Sequence, residues 1–429
     1  MTTSTAQPLT VKPQSQFLTM ATICVMFFIF GFVTWLNGPL ITFVKLAFTL
    51  DDVSAFMVPM VFYMSYFFLA LPSSFILKKT GMKKGMALGL MVMALGAVIF
   101  GQFATMRMFP GALSGLFVIG AGLAVLQTAS NPYISIVGPI ESAAQRIAIM
   151  GIFNKGAGIC APLVFGVLVM SNVGEFGARV EAATDPAVRE ALLNTFAQKV
   201  HMPYLAMAGV LAMLALFVLK SPLPDIKSDN NPIAVGSEGK GLFSFPHLWL
   251  GVVCLFLYVG VEVMAGDAIG TYGHAFGLSP DHTKYFTSLT LAAMLIGYIV
   301  GLIVIPRFVS QERYLSFSAV LGVVLCLGAF FTRGYISVGF VAALGFANAM
   351  MWPAIFPLAI RGLGKFTQTG SAIMIMAISG GAVLPQLFAV FKAHINFQLV
   401  FLIIMVPAYL YILLYGVFSS RAAAKVVAQ

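Results

Sequence analysis

Two acidic side chains, Glu262 and Asp267, stand out because they lie deep inside an apolar segment of the chain. Burial disfavours a charged carboxylate unless a cation lies beside it, so such a group can take up a proton or a sodium ion. On a regular helix the two acids are separated by about 140° and do not share a face, unless Gly266, Gly270 or Gly273 breaks the helix. We predict that one of them couples to a cation; the alternative is a structural hydrogen bond to a neighbouring helix.

Amide side chains form a second group that suits a hydroxylated ligand. Gln127 and Asn131 are four residues apart and share a helix face, and Asn154 follows in the next apolar segment. Asn37 and Thr34, three residues apart in the first segment, share a face beside a proline. Amides offer both donors and acceptors, so the four amides are candidate sugar ligands, with Thr34 a candidate cation ligand. The alternative is hydrogen bonding between helices.

Aromatic and basic residues complete the candidate site. Trp35 and Trp352 lie within apolar segments, where their rings could pack on the C–H face of a sugar or simply fill the core. Tyr258 and Glu262 are four residues apart, share a face, and are also candidate sugar ligands. Lys155 lies about 9 Å inside its segment, and we expect it to extend to the membrane surface.

These residues must be positioned by membrane-spanning helices. The chain has 429 residues, of which 60% are hydrophobic and only 9% charged, whereas soluble domains carry about 25% charged residues. A helix needs about 20 apolar residues to cross a bilayer. Twelve such stretches occur, at 17–43, 53–77, 85–105, 109–138, 148–170, 201–220, 246–275, 284–306, 313–332, 334–360, 369–391 and 395–418.

The sequence therefore predicts an all-α membrane protein built from two six-helix bundles. The predicted parts are an N-terminal tail (1–16), a first bundle (17–220), a polar linker (221–245), a second bundle (246–420) and a C-terminal tail (421–429). Lys and Arg are more numerous in the loops on the side of the termini, which places both termini and the linker in the cytoplasm. We expect the 171–200 loop to form a short surface helix on the opposite side.

An internal repeat supports the division into two bundles. Without gaps, 149–166 aligns with 372–389, so that Gly158 matches Gly381 and Pro162 matches Pro385. This alignment pairs the fifth span with the eleventh, as a six-span repeat requires.

Other classes of function are disfavoured. The sequence has no HExxH, GxSxG or Walker motif, and no convincing pair of catalytic groups. The net charge of +10 reflects basic loops and not nucleic-acid binding. The four cysteines form no CxxC pair, and we interpret them as buried thiols. No metal or cofactor is expected beyond a coupling sodium ion or proton.

Several strings resemble the fucose permease family of the major facilitator superfamily. They are GFVTWLNGPL in span one, GLAVLQTASNPYISIVGPIE in span four, FNKGAG in span five, YVGVEV in span seven and PAIFPLAIRGLGKFTQTGS across spans ten and eleven. The family includes the fucose–proton symporter and bacterial glucose/galactose transporters, some of them sodium-coupled, and the sequence is more similar to the glucose/galactose branch.

The departures from that family concern its carboxylates. Gly38 stands where the fucose symporter has an acidic residue, and Gln127 stands where it has Glu. Asn154 matches the family's span-five Asn. The resemblance therefore implies that any cation site has moved, with Glu262 and Asp267 the candidates.

The sequence as a whole predicts a monomeric hexose–cation symporter of the bacterial inner membrane, surrounded by lipid and working by alternating access. Sodium is slightly preferred over the proton. A proton-coupled symporter or uniporter of fucose or N-acetylglucosamine, and a membrane sugar sensor that does not transport, remain alternatives.

Overall fold

The computed structural model describes residues 13–136, 143–221, 223, 241–305 and 307–427. Within these residues the chain is helical, and twelve helical segments are long and apolar enough to cross a membrane. The predicted all-α fold with twelve spans is confirmed. Most of the predicted N-terminal tail and linker, and the last two residues of the C-terminal tail, lie outside the described residues.

The first half contains ten α-helices, and several spans consist of two of them in series. They are α1 (Pro13–Thr34) and α2 (Asn37–Ala47) in span one, α3 (Asp52–Ala55) and α4 (Met57–Thr80) in span two, α5 (Met82–Thr105) in span three, α6 (Phe109–Ile136) in span four, α7 (Ala143–Leu168) in span five, the surface helices α8 (Val173–Ala182) and α9 (Pro186–Gln198), and α10 (His201–Lys220) in span six.

The second half has the same order of spans without the surface helices, but its spans ten and eleven each consist of two helices where spans four and five are single. Its helices are α11 (Pro246–Gly266) and α12 (Ile269–His274) in span seven, α13 (Pro280–Thr283) and α14 (Phe286–Val304) in span eight, α15 (Gln311–Phe331) in span nine, α16 (Gly334–Asn348) and α17 (Met351–Ile360) in span ten, α18 (Thr367–Met376) and α19 (Gly380–Phe391) in span eleven, and α20 (Phe397–Val427) in span twelve. Short 3₁₀ turns lie at Leu242–Ser244, Gly364–Phe366 and Ala377–Ser379.

The contacts between helices follow the predicted repeat. Span one packs on span five as span seven packs on span eleven, and the pair of spans three and six corresponds to the pair nine and twelve. The two halves meet where span five packs on span eight and where span eleven packs on span two. Adding six to each span number, counted around the twelve spans, converts the contact between spans five and eight into the contact between spans eleven and two. This is the pattern that a two-fold internal repeat produces.

Two expectations about the fold were wrong in detail. The 171–200 region contains two surface helices where we predicted one, because Pro186 starts a second helix with Asp185 as its N-cap, whose side chain accepts from the backbone N–H of Ala187. Cys160 is exposed on the surface of span five and Cys24 is only half-buried, so these two are not buried thiols, whereas Cys254 and Cys326 are buried.

Two long spans are interrupted at equivalent points in the two halves. Helix α1 ends at Thr34 and α2 begins at Asn37, and helix α11 ends at Gly266 and α12 begins at Ile269. The break in span seven at Gly266 agrees with the glycine pattern of the sequence. Interrupted helices release backbone polar groups inside the membrane, which is tolerated where they line a cavity or pack on protein.

Candidate functional site

A cavity lies between the two halves, beside the interrupted helices. Its volume is about 100 Å³. Side chains from spans one, two, four and five line one side, and side chains from spans seven, eight, ten and eleven line the other. Among the residues predicted from the sequence, those that line the cavity are Thr34, Trp35, Gln127, Asn131, Asn154, Tyr258, Glu262 and Trp352.

An ion pair crosses this cavity from one half of the protein to the other. Lys155 Nζ in span five lies 2.7 Å from Glu262 Oε1 in span seven, and both residues are buried, with exposed fractions of 7% and 8%. The same ammonium group lies 4.4 Å from the centre of a Trp35 ring, a cation–π contact. Our expectation that Lys155 extends to the membrane surface was wrong, because an acid from the other half holds it inside.

Trp35 joins the ion pair to the nearest amide. Its indole Nε1 donates a hydrogen bond to Asn154 Oδ1 at 3.3 Å. The Trp35 ring also packs against Gly158 and Gly266, where a Cβ atom would lie only 2.5 Å from ring carbons. Glycine at these two positions therefore lets the ring lie flat between spans five and seven. The result is a wall in which indole, amide and ammonium groups are adjacent.

The amides of span four face tyrosines that sequence reasoning missed. Gln127 Nε2 donates to Tyr66 Oη at 2.9 Å, and Tyr63 and Tyr298 also line the cavity. A tyrosine within a long apolar run looks like a core residue in the sequence, so residue type alone did not identify these three tyrosines as cavity residues. The three-residue spacing of Tyr63 and Tyr66 on one helix face was the available clue. The cavity therefore presents hydroxyl groups as well as amides.

The second acid, Asp267, lies at the break in span seven and does not line the cavity. Tyr63 Oη donates to Asp267 Oδ2 at 3.3 Å, while Asp267 Oδ1 is buried without a hydrogen-bond partner. Asp267 packs directly on Gly38 of span one, where a Cβ atom would lie 3.3 Å from Oδ1 and would overlap Thr287 Oγ1. The Asp267 carboxylate of span seven therefore lies next to Gly38, the position in span one that has no side chain.

Thr34 and Asn37 lie on opposite sides of the break in span one. Thr34 lines the cavity, and its hydroxyl group is buried without a hydrogen-bond partner. Asn37 is buried outside the cavity lining, and its Nδ2 is likewise unpartnered. The break accounts for the difference, because two residues three apart align only on a continuous helix. Among the described residues, no group of three or more His, Cys, Asp or Glu side chains could hold a metal ion.

Polar contacts also join the halves on the side of the bilayer opposite the chain ends, here named the distal face. Lys392 at the end of span eleven pairs with Asp52 at the start of span two, and Gln386 Nε2 donates to the Val53 carbonyl at 3.2 Å. Asp52 also forms an ion pair with Lys45 of its own half, with Lys45 Nζ 2.6 Å from Asp52 Oδ1. This first distal contact therefore combines one ion pair between halves with one ion pair within a half.

A second distal contact is the counterpart of the first in the internal repeat. Lys284 at the start of span eight donates to the Met170 carbonyl at 2.8 Å, and Asp281 Oδ2 accepts from the Gly174 backbone at 3.0 Å. Spans two and eight each begin with a four-residue helix, α3 and α13, capped by the side chains of Asp51 and Ser279 respectively. The two halves thus meet at the distal face through equivalent charged helix starts.

Comparison with known proteins agrees with this architecture. A model of the Major Facilitator Superfamily matches residues 23–385. The glucose/galactose transporter of Brucella abortus (strain 2308) is 32% identical over 407 residues, which are 94% of this chain and 94% of that protein. The L-fucose-proton symporter of Escherichia coli (strain K12) is 30% identical over 382 residues, covering 87% of this chain and 86% of that protein.

A solved structure has the same fold over nearly the full length. The crystal structure of the Major Facilitator Superfamily transporter FucP in the outward conformation superposes with a TM-score of 0.76 at 27% identity. The match covers 94% of this chain and 99% of that chain. The resemblance inferred from the sequence is confirmed: the chain belongs to the Major Facilitator Superfamily and is a transporter, not an enzyme.

Proposed function

We propose that the protein is a symporter that carries a neutral hexose of the glucose/galactose class together with a cation, by alternating access. The cavity between the two halves supports a hydroxylated substrate, because amides, tyrosine hydroxyls and two tryptophan rings line it. The names of its relatives, a glucose/galactose transporter and an L-fucose-proton symporter, point to the same substrate class. Gln127, Asn131 and Asn154 bind hydroxyl groups, with Trp35 or Trp352 as the stacking surface.

The position of Asp267 against Gly38 is the observation that carries the proposal of cation coupling. The fucose symporter has an acid in span one where this chain has Gly38. Here the carboxylate of Asp267 reaches that place from span seven, and one of its oxygens has no partner. A buried carboxylate without a cation in contact is costly, so uptake of a cation stabilises it. Glu262 is the weaker candidate, because Lys155 already neutralises it.

The surroundings of Asp267 bear on which cation is used. Hard metal cations require several oxygen ligands, whereas a proton needs a single oxygen. The Tyr63 hydroxyl is the side-chain group that hydrogen-bonds Asp267 in the described structure, at 3.3 Å. This geometry favours a proton, against the slight preference for sodium that the sequence suggested. By linkage, cation and sugar each raise the affinity for the other by the same factor.

We place the protein in a bacterial inner membrane, as a monomer with both termini in the cytoplasm. The distal face is then periplasmic, and its two contacts between the halves close the cavity on that side. Opening to the outside requires Lys392 to leave Asp52 and Lys284 to leave Met170. The spans that carry these residues are also the ones at which the two halves meet.

Reconstituted full-length protein tests the coupling. Liposomes loaded with labelled glucose or galactose are assayed for exchange, and uptake is then driven by an imposed pH or sodium gradient. We expect one gradient to drive accumulation, and Asp267→Asn to abolish accumulation while exchange continues. Glu262→Gln is the comparison. Accumulation by the Asp267→Asn variant would refute the role of Asp267, and a wild-type protein that ignores both gradients is a uniporter.

A paired substitution sharpens the test. A Cβ atom at position 38 would overlap Thr287 Oγ1, so Thr287→Ala provides the background for this test. In that background, Gly38→Asp/Asp267→Gly moves the acid to span one and the glycine to span seven. We expect this variant to recover gradient-driven accumulation, whereas Gly38→Asp in the same background places two acids together and does not. Failure of every sugar to exchange in the wild-type protein would reject the substrate class itself.

A further inference from the structure

The cavity is electrically balanced by groups of the protein itself. Among the described residues that line it, the charged ones are Lys155 and Glu262, and they pair with each other at 2.7 Å. Lys155 also lies over the Trp35 ring, and Glu262 is one helical turn from Tyr258, which lines the same cavity. The pair is therefore a fixed part of the wall with no net charge.

The position of the pair determines what a bound molecule encounters. Lys155 is next in sequence to Asn154, and Glu262 is one helical turn from Tyr258 on the same face. All four residues line the same cavity, so a sugar bound by Asn154 lies close to both charged groups. The other nearby acid, Asp267, lies behind the wall and contacts Tyr63, so it does not offer a charge to the cavity.

A charged substrate would have no partner in such a cavity. An ammonium or carboxylate group brought out of water needs an opposite charge to offset its desolvation. Glu262 is already neutralised by Lys155, and Lys155 by Glu262, so neither group is available without breaking the pair. A hydroxyl group carries no charge, and it can hydrogen-bond the remaining lone pairs of Glu262 and the amides.

From this arrangement we infer that the Lys155–Glu262 pair restricts the cavity to uncharged sugars, rejecting sugars with a free ammonium group and sugars with a carboxylate. This inference rests on the proposed function, because it takes the substrate to be a sugar. It assigns Lys155 and Glu262 a role in specificity that is separate from cation coupling at Asp267. The two single substitutions should then convert the specificity in opposite directions.

The consequences follow from charge balance. In Lys155→Met the carboxylate of Glu262 has lost its cation, and the ammonium group of glucosamine can take the place of Lys155 Nζ. In Glu262→Gln the ammonium group of Lys155 has lost its anion, and the carboxylate of glucuronate can pair with it. Glucosamine and glucuronate each differ from glucose by one charged substituent, so glucose is a matched neutral ligand for both.

The experiment is calorimetric binding of glucose, glucosamine and glucuronate to the purified full-length protein, at a slightly acidic pH where glucosamine is protonated. We expect the wild-type protein to bind glucose at least about tenfold more tightly than either charged sugar. In Lys155→Met, the affinity for glucosamine relative to that for glucose should rise about tenfold, and the relative affinity for glucuronate should not rise. In Glu262→Gln, the relative affinity for glucuronate should rise about tenfold, and that for glucosamine should not rise.

Two controls keep the inference open to refutation. Lys45→Met removes a basic side chain at the distal face and should leave the ranking unchanged. The exchange Lys155→Glu/Glu262→Lys keeps the pair in reverse and should reject both charged sugars as the wild-type protein does. Even if one single variant does not fold, wild-type binding of either charged sugar as tight as that of glucose overturns the inference. Absence of glucose binding to the wild-type protein would instead reject the proposed function.

Discussion

The central cavity and the distal face both join the two halves of the protein through Lys–Asp or Lys–Glu pairs, but the surroundings of the pairs differ. At the centre, Lys155 and Glu262 have side chains only 9% and 10% exposed. At the distal face, Lys392 is also only 10% exposed, but its partner Asp52 is 25% exposed and is shared with Lys45, which is 35% exposed. Ion pairs of the same type therefore lie in two environments, one shielded from water and one partly exposed to it.

This difference determines what each pair contributes. Removing one partner of a buried pair leaves a charge without compensation, whereas water and neighbouring charges replace a lost partner at the surface. The distal pairs can therefore separate and re-form as the halves move, at small cost. The central pair is better suited to fix the electrostatics of the cavity than to open and close freely.

The largest effect is expected for the central pair. Lys155→Met should destabilise the protein by about 3–5 kcal/mol, because Glu262 is left buried without a cation. Thermal unfolding in detergent, compared with the wild-type protein, measures the change. The double variant Lys155→Met/Glu262→Met removes both charges and should recover most of the loss. Equal instability of the single and double variants would show that packing, and not charge, dominates.

An intermediate effect is expected on the cavity wall away from the pair. Gln127→Ala should weaken sugar binding by about 1–3 kcal/mol, because a hydroxyl group and Tyr66 both lose a partner. Calorimetry with the sugar that the wild-type protein binds measures it. Gln102→Ala, near the distal end of span three, is a matched control that should leave affinity unchanged. Unaltered affinity in Gln127→Ala would remove this amide from the binding site.

The smallest effect is expected at the distal face. Lys392→Met should cost less than about 1 kcal/mol of stability, since Asp52 remains paired with Lys45 and is partly hydrated. Lys45→Met removes a partner within the same half and is the matched control. Thermal unfolding of both variants beside Lys155→Met gives the comparison directly. If Lys392→Met destabilised the protein as much as Lys155→Met, the distinction between the two regions would be contradicted.

Much of the fold could be predicted because lipid imposes a simple rule on sequence. All twelve apolar stretches correspond to spans, and the match of Gly158 with Gly381 anticipated a repeat that the helix contacts follow. The 171–200 region was harder, since it lies outside the hydrocarbon and obeys local capping rules. There the N-cap Asp185 and Pro186 were the signals for a second helix.

The site was predicted only in part, and the predictions that were wrong or missing have a common cause. Polar residues in apolar spans identified Gln127, Asn154 and Glu262 as cavity residues, because such groups must avoid lipid. Glu262, the partner of Lys155, is 107 residues away in the sequence, so the depth of Lys155 within its own helix could not reveal the ion pair. The break after Thr34 likewise could not be placed from spacing alone. Partners across the two halves are a property of the three-dimensional packing.

The position of Trp35 gives the protein an intrinsic optical reporter. The chain has only three tryptophans, and this one holds the Lys155 ammonium on its ring and donates its indole N–H to Asn154. Indole emission responds to nearby charge and to loss of its hydrogen bond. A sugar hydroxyl that donates to Asn154 Oδ1 competes with the indole N–H, so we expect ligand occupancy to change the fluorescence of the unlabelled protein.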